Sequence, residues 1–503
     1  MYLRAGVFSL GLLLISRVLG LARESAQAAA FGASGMGDVV IVMFTLPDLL
    51  VGMLISGALS YVLLPAWANQ AQGGHAIAHK KLLINLALGA VVAAALLWIF
   101  RGLVVQGLAP GLRGELQTLS AASIGWSAAV LPLAVVAALW ATRLQHNQDF
   151  VGMYAGNVLV NLMLVAGLVA VGSAVWLRSA SPAKVVAVLG GCLVLAMTLR
   201  LVWLAWRLQK VTSKPSLSRP DNTAVATPPS ASVWLWAALA SSLMLLLPLV
   251  GRSVVSQSGE GALTSFNYAW KLVELPLVLA LQLVASLAFP ALAATAPQSP
   301  ARLQALQVAF ALAWALACAA AAVVATFSLP IAMALFGWGS MTPASLQVIG
   351  QWSAIGVWSL LPQALIAVLL TLMAITLRMR VAVLVYSAAL AVLVLSGWAG
   401  LVQGASVMWV INGALGAVAS VLLVTERRDV ARALPLVGAL VPFAVCVMLV
   451  ALKPLWADVT LPAALALAAA YGLMVLASGL AASSALRRVL SLKLRQRRHA
   501  NEL

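Results

Sequence analysis

A chain of 503 residues with 63% hydrophobic and only 8% charged residues is too apolar to fold as a water-soluble globule, in which about 25% of residues are charged. Its apolar runs are continuous over about 20 residues, which excludes the alternating pattern of a membrane β-barrel and predicts a polytopic α-helical membrane protein. The net charge of +18 does not indicate nucleic-acid binding, because the Lys and Arg residues lie mostly in short loops between apolar segments.

Hydropathy predicts about fourteen membrane spans along the chain. The positive charges support an even number with both termini in the cytoplasm, because roughly two thirds of the 30 Lys and Arg residues then lie inside and about one sixth outside. The predicted spans are 5–31, 38–65, 82–107, 120–143, 151–174, 183–207, 232–256, 263–293, 303–328, 344–374, 379–399, 403–424, 431–452 and 462–485.

A polar, proline-containing segment after the sixth span is predicted to be a cytoplasmic linker that divides the chain. Leu46-Pro47 in the second span and Leu275-Pro276 in the eighth interrupt the two halves at matching places. This favours two pseudo-symmetric lobes with the substrate path between them, although proline is also common in membrane helices. The predicted regions are a first six-helix lobe (1–208), the linker (209–231), a second six-helix lobe (232–425), a final helix pair (426–486) and a basic cytoplasmic tail (487–503).

Cationic side chains inside the predicted spans are the strongest functional signal. Such a residue costs about 2.5–3.5 kcal/mol on insertion scales, and chains keep it where it faces a water-filled cavity and meets an anion. These residues therefore predict a transporter with an anionic cargo. They are Arg17, Arg23, Arg200, Arg252 and Lys271.

The first span carries Ser16-Arg17 and, farther along, Arg23-Glu24. Arg17 and Glu24 fall on one face of an ideal helix, whereas Arg23 lies about 120° from Arg17, so a bend at Gly20 would turn both arginines toward one cavity. We interpret the arginines as an anion-binding pair tuned by Glu24. The alternative is an internal ion pair that holds the helix against its neighbours.

Two acidic residues lie in the second span. Asp38 begins it, where a carboxylate either stabilises the helix N-terminus or pairs with an arginine when an outer gate is shut. Asp48 directly follows Pro47, so it lies at a kink and can act as an ionic partner or a cation ligand.

The later cations differ in their sequence neighbours. Lys271 and Glu274 are three residues apart in the eighth span, a spacing that favours a local ion pair. Arg252 lies late in the seventh span with no acidic neighbour, so it is the candidate for an unpaired cation that awaits its ligand.

Enzyme motifs are absent from the sequence: there is no P-loop, no carboxylate cluster with metal spacing and no nucleophile–base pair. We therefore expect a protein that is not an enzyme and needs no cofactor. With no nucleotide site, the driving force is expected to be the membrane potential or a monovalent cation.

The chain resembles the MurJ (MviN) family of lipid II flippases, within the superfamily of multidrug, oligosaccharidyl-lipid and polysaccharide exporters. The likeness extends over nearly the whole chain and is carried by the order and spacing of several short motifs. They are Ser16 to Glu24, Phe31 to Asp38, Leu46-Pro-Asp-Leu-Leu50, Ser56-Gly-Ala-Leu-Ser60, Phe266 to Pro276, and Leu329-Pro-Ile to Phe336-Gly-Trp-Gly.

The resemblance implies fourteen helices, a central cationic cavity for pyrophosphate and sugars, and a groove for the polyprenyl tail formed by the last two helices. Residues that matter in the family match Arg17, Arg23 and Asp38, and Lys271 stands where the family usually has arginine.

The chain departs from the family pattern at two places. It has Val51-Gly52 where the family usually has Arg-Arg, and Ser56 where the family usually has glutamate. One cavity cation and one acid are therefore absent together, with Arg252 as the candidate to replace part of the lost charge. This leaves the exact substrate open.

The expected function is flipping of the peptidoglycan precursor lipid II from the inner to the outer leaflet by alternating access. The alternative is a flippase for another lipid-linked oligosaccharide, such as an exopolysaccharide or O-antigen unit; a drug–cation antiporter and a non-transporting scaffold fit the cavity cations less well. Arg17, Arg23, Arg252 and Lys271 are expected to bind the pyrophosphate, and Ser16, Glu24, Asp38, Asp48 and Glu274 to act in gating or ion pairing.

The expected location is the bacterial cytoplasmic (inner) membrane. The expected partners are lipid II or a related polyprenyl-pyrophosphate saccharide and the surrounding membrane lipids. We expect a monomer, with a position near cell-wall synthases left open, and no nucleic-acid partner.

Overall fold

The computed structural model describes residues 2–54, 59, 63, 67, 75–173, 181–212, 231–276, 299–375, 378–456, 459–488 and 491, and these residues are helical almost throughout. The predicted all-helical membrane fold is confirmed. The helices are α1 (Tyr2–Phe31), α2 (Gly35–Met53), α3 (His75–Ile99), α4 (Arg101–Leu108), α5 (Gly114–His146), α6 (Phe150–Ser173), α7 (Pro182–Thr212), α8 (Ala231–Ser256), α9 (262–276), α10 (Pro300–Phe336), α11 (Pro343–Gly356), α12 (Leu360–Ile375), α13 (Met379–Trp398), α14 (Ser406–Thr425), α15 (Arg427–Ala433), α16 (Leu436–Ala451) and α17 (Leu461–Ala482).

Ten of the described helical segments are long and apolar enough to cross a membrane. A described helix overlaps each of the predicted spans, but the total of fourteen crossings remains a prediction. Most of the predicted linker (209–231), most of the basic tail (487–503) and Ser56 lie outside the described residues.

The chain divides into two compact units. The first comprises Met1–Thr264 with Phe336–Thr342, and the second comprises Ser265–Leu335 with Pro343–Leu503. Helix α8 thus belongs to the first unit, whereas the sequence analysis assigned its residues to the second lobe. The lobe boundaries and the pseudo-symmetry remain predictions.

In the first unit, α1 packs along α6, α5 packs against α2, α3 and α7, and α6 packs against α7. The apolar core between α2, α5, α6 and α7 is built from side chains such as Val40, Met43, Leu168 and Leu189. Because lipid is as apolar as these side chains, close packing and hydrogen bonds hold the helices together more than the hydrophobic effect does.

One of these hydrogen bonds repairs α2 at its proline. Pro47 has no N–H, so the carbonyl of Met43, four residues earlier, loses its helical donor. The buried hydroxyl of Ser127, on α5, donates to that carbonyl at 2.7 Å. In a membrane an unsatisfied carbonyl is costly, so Ser127 is what makes proline tolerable at this depth.

In the second unit, α10 is kinked at Phe327, which has φ −113° and ψ 24°, three residues before Pro330. The Nζ of Lys453 donates to the carbonyl of Ala325 beside this kink at 3.2 Å. Helices α16 and α17 pack against each other. The groove for a lipid tail that was expected of this helix pair remains a prediction.

Candidate anion-binding site

Helix α2 is the element around which the cations of the first unit are arranged. Its residues Thr45 and Asp48 are three apart, so their side chains share one face of the helix. Thr45 contacts Arg252 of α8, and Asp48 contacts Arg23 of α1. Two arginines that are more than 200 positions apart in sequence are thereby held on one short stretch of α2.

Arg23 is buried and forms two ion pairs. Its guanidinium reaches the Asp48 carboxylate through two nitrogens, at 2.7 Å and 3.3 Å, and the Glu24 carboxylate at 3.1 Å. The ring of Phe44 lies on another side, with its centroid 5.6 Å from the guanidinium carbon. The planar fork of arginine suits such a two-point contact with a carboxylate, and it suits phosphate oxygens equally well. Asp48 therefore occupies the same donors that a phosphate would use.

Arg17 is exposed on α1. On an ideal helix its side chain points about 120° away from that of Arg23. In the described part of the chain no carboxylate or other acceptor is hydrogen-bonded to Arg17. The backbone carbonyl of its neighbour Ser16 accepts a hydrogen bond from Asn161 of α6 at 3.3 Å. Helix α1 runs unbroken through Gly20. Arg17 is therefore accessible, whereas Arg23 is already paired.

Arg252 does not stand alone as its sequence neighbours suggested. Its guanidinium donates to the Thr45 hydroxyl at 3.4 Å, and that hydroxyl donates to the Ile41 carbonyl at 2.6 Å. A long hydrogen bond to a neutral hydroxyl is weaker than a charge-assisted pair.

Asp38 is fully buried and caps the start of α9 within the first unit. Its carboxylate accepts hydrogen bonds from the backbone N–H of Gly261 at 2.8 Å, and from the N–H and hydroxyl of Thr264 at 2.7 Å and 2.6 Å. The N-cap of its own helix is Ser34, which accepts from the N–H of Gly37. Asp38 thus lies in the first turn of α2, as predicted, and its side chain also caps the start of α9.

Gly261 makes this cap possible. Its φ is +77°, which side-chain-bearing residues rarely adopt, and a Cβ at this position would clash with the carbonyl of Ala33. The glycine lets the turn before α9 lie close to the backbone of Ala33, so that the Gly261 N–H reaches Asp38.

Lys271 belongs to the second unit, where its Nζ lies 2.8 Å from the carboxylate of Glu274 on the same helix. The Lys271 side chain is 24% exposed and that of Glu274 is 34% exposed, so both remain accessible.

The sequence did not predict the burial or the hydrogen-bond partners of Arg200. Arg200 is buried in α7, with 2% of its surface exposed, and its Nε and one terminal nitrogen have no hydrogen-bond acceptor among the described residues. Gly156 of α6 lies against its side chain and leaves room for it. The signal that marks Arg200 in the sequence is an arginine inside a span with no acidic residue nearby on its own helix.

The first of the two departures from the family pattern, Val51-Gly52, is a packing position here, and the second, Ser56, lies outside the described residues. Val51 is partly buried against the apolar core of the first unit, and Gly52 faces a methyl group of Leu245. Charged side chains at these positions would need polar surroundings in place of these apolar contacts. The polar partners that the sequence analysis missed are Thr45 and Ser127, for which a hydroxyl within an apolar span is the only signal.

Sequence comparisons identify relatives of the chain. A family model described as lipid II flippase MurJ matches residues 27–374. The lipid II flippase MurJ of Burkholderia cenocepacia is 29% identical over 280 residues, which are 54% of this chain and 52% of that protein. A probable lipid II flippase MurJ of Rickettsia prowazekii is 33% identical over 111 residues, 22% of each protein. The chain thus aligns with about half, or less, of the length of these curated relatives.

Structural comparisons agree on the fold. A lipid II flippase MurJ in an inward closed conformation superposes with a TM-score of 0.76 at 14% identity, covering 96% of this chain and 99% of the other. An inward-facing multidrug resistance transporter of the MATE family superposes with a TM-score of 0.63, also at 14% identity, covering 83% of this chain and 95% of the other. At such low identity these matches establish the fold alone.

Proposed function

The chain belongs to the MurJ family of lipid II flippases, multi-pass proteins of the inner membrane, and from this we propose that it moves lipid II from the inner to the outer leaflet for cell-wall synthesis. The observation that carries the proposal is the set of three arginines on α1 and α8 of the first unit. Arg17 is exposed, Arg252 donates to a hydroxyl of α2, and Arg23 presents its fork to a carboxylate. A membrane protein keeps such cations where an anion passes.

The pyrophosphate of the carrier lipid is the anion that fits this set. Arginine binds phosphate oxygens through paired N–H groups, so Arg17, Arg23 and Arg252 are the proposed ligands in the first unit. Lys271 acts as a point charge and is the proposed ligand in the second unit.

Acidic and hydroxyl groups beside these cations are proposed to control them. Glu24 and Asp48 neutralise Arg23, and Glu274 neutralises Lys271, so each carboxylate competes with the cargo for its cation. Ser16 fixes α1 against α6 through its carbonyl. Asp38 is proposed as a gating residue because it holds the turn that begins α9.

The membrane potential is the proposed driving force, with a monovalent cation as the alternative. An inside-negative potential contributes about 2.3 kcal/mol per charge per 100 mV. It drives an anionic headgroup outward and returns a positively charged cavity inward. Both termini are proposed to be cytoplasmic, because the basic loops and the basic tail then face the cytoplasm. The protein is proposed to act as a monomer close to the synthases that use its product.

The test is complementation in cells depleted of their own lipid II flippase, with outer-leaflet lipid II assayed by a toxin that cleaves it. Restored cleavage that is lost in Arg17→Ala supports the proposal. Arg113→Ala is the matched control, because Arg113 is an exposed arginine that precedes α5 and makes no side-chain cap there.

Good membrane expression without restored cleavage would contradict lipid II as the cargo. The same cells carrying the genes for another lipid-linked oligosaccharide would then show whether the cationic site serves that substrate. Transport that survives Arg17→Ala and Arg252→Ala together would contradict the arginine site itself.

A further inference from the structure

We propose that Asp48 changes partners during transport, pairing with Arg23 in the arrangement seen here and with Arg200 once Arg23 turns to the pyrophosphate of the cargo. This inference rests on the proposed function, because it concerns the same cationic site. It makes Arg200 a positioning residue, which acts on the cargo through Asp48 without touching it.

The first step of the argument is that Arg23 cannot hold both anions through the same donors. Both of its terminal nitrogens are directed at Asp48, and one of them is shared with Glu24. A guanidinium has five N–H donors in a fixed plane, so a phosphate that takes the two-point contact must displace the Asp48 carboxylate.

The second step is that Asp48 is able to leave. Its side chain is 51% exposed, whereas that of Arg23 is 10% exposed. It also follows Pro47 directly, in the part of α2 where the regular helical hydrogen bonding is interrupted. A carboxylate displaced by a phosphate is repelled by that phosphate, so it needs another cation.

The third step is that Arg200 offers unused donors to it. Arg200 is buried, its Nε and one terminal nitrogen lack acceptors in the part of the chain that the structure describes, and α7 packs against α2. A buried cation with unsatisfied donors is costly, and a carboxylate removes that cost. The Asp48 carboxylate lies within electrostatic range of the Arg200 guanidinium.

The exchange gives Asp48 a cationic partner both before and after the cargo binds. It also gives release a mechanism, because Asp48 can return to Arg23 and compete with the pyrophosphate. Arg200 then favours cargo binding by pairing with the displaced Asp48, and Asp48 favours cargo release by returning to Arg23.

The experiment measures binding of a polyprenyl pyrophosphate to the full chain in lipid nanodiscs. We expect Arg200→Gln to weaken binding roughly tenfold, the low end of couplings measured between close charge pairs. Asp48→Asn alone should tighten binding and slow dissociation, because Arg23 no longer has to give up a charged partner. In the Arg200→Gln background, Asp48→Asn should restore binding to the unaltered level or better.

Two further variants separate the exchange from a loss of folding. Arg200→Lys keeps a cation and should bind within a few-fold of the unaltered chain. Arg207→Gln is the matched control, since Arg207 pairs with Asp149 at 2.6 Å elsewhere in the first unit and should leave binding unchanged.

Equal weakening by Arg200→Gln with and without Asp48→Asn would overturn the exchange, because Arg200 would then act independently of Asp48. Weaker binding by Asp48→Asn alone would overturn it as well. In both cases a loss of binding in Arg17→Ala would leave the proposed function standing. Failure of the unaltered chain to bind the probe would overturn the proposed function and the exchange together.

Discussion

Asp38 and Thr264 are joined by two hydrogen bonds, in which one carboxylate oxygen accepts from both the N–H and the hydroxyl of the threonine. The second carboxylate oxygen accepts from the N–H of Gly261. Three donors on one buried carboxylate fix the start of α9 against the start of α2. An acid that the family resemblance marks as functional is therefore also a structural cap.

Replacing this carboxylate by an amide is predicted to destabilise the protein. Asp38→Asn has one acceptor oxygen instead of two, and its NH₂ group would face a donor. We expect the free energy of unfolding to fall by about 1–3 kcal/mol, the cost of an unsatisfied buried group. Thermal unfolding in detergent measures this. Thr264→Val, which removes only the hydroxyl, should lower stability less, and an unchanged melting temperature for Asp38→Asn would contradict the cap.

Ser127 is predicted to matter only while Pro47 is present. Ser127→Ala leaves the Met43 carbonyl without a donor, so the free energy of unfolding should fall by about 1–3 kcal/mol. In a Pro47→Ala background the backbone N–H at position 47 can satisfy that carbonyl, and the same substitution should cost much less. A double-mutant cycle of thermal stabilities measures the difference. Equal losses in both backgrounds would show that the hydroxyl has another role.

Lys271 is predicted to tolerate arginine but not alanine. Lys271→Arg keeps the charge and can still reach Glu274, so flipping should stay within a few-fold of the unaltered rate. Lys271→Ala removes the cation and leaves the Glu274 carboxylate to repel an anionic cargo. The flipping rate should therefore fall at least tenfold, which corresponds to an activation free energy higher by about 1.4 kcal/mol. Adding Glu274→Gln should recover part of this loss. The measurement is toxin cleavage of outer-leaflet lipid II, and no recovery would mean that the carboxylate does not compete with the cargo.

Outward flipping is predicted to slow when the membrane potential collapses. At 100 mV, each negative charge moved outward gains about 2.3 kcal/mol from an inside-negative potential. Initial rates in proteoliposomes with an imposed potential should therefore exceed those at zero potential. Arg113→Ala, outside the site, should show the same dependence. Rates that do not change with potential would favour coupling to a monovalent cation.

The class of the protein follows from sequence because the physical cause is local. Long apolar runs must become helices in lipid, since no water is available to satisfy an exposed backbone. Each intramembrane arginine likewise indicates an anionic cargo by itself, because a buried positive charge is costly unless an anion meets it.

The pairing of these charges could not be predicted in the same way. Helical spacing put Glu24 on the same face as Arg17 and Glu274 near Lys271. In the structure Glu24 is paired with Arg23, and Glu274 lies within ion-pair distance of Lys271. Helical spacing gave no sign that Asp48 reaches Arg23, that Thr45 meets Arg252, or that Asp38 caps α9. Each of these contacts joins separate helices, and an ideal helix carries no information about its neighbours.

The sequence by itself determined that this chain is a multi-helix membrane protein with cations where lipid should be, and its motifs indicated the flippase family. Only the tertiary structure decided which of those cations are neutralised. Arg23 forms an ion pair with Asp48, and Arg17 is exposed. Arg200 is buried, and two of its nitrogens have no acceptor among the described residues. The physical reason is that burial and partners depend on how helices pack, whereas hydropathy and helical spacing are properties of one segment at a time.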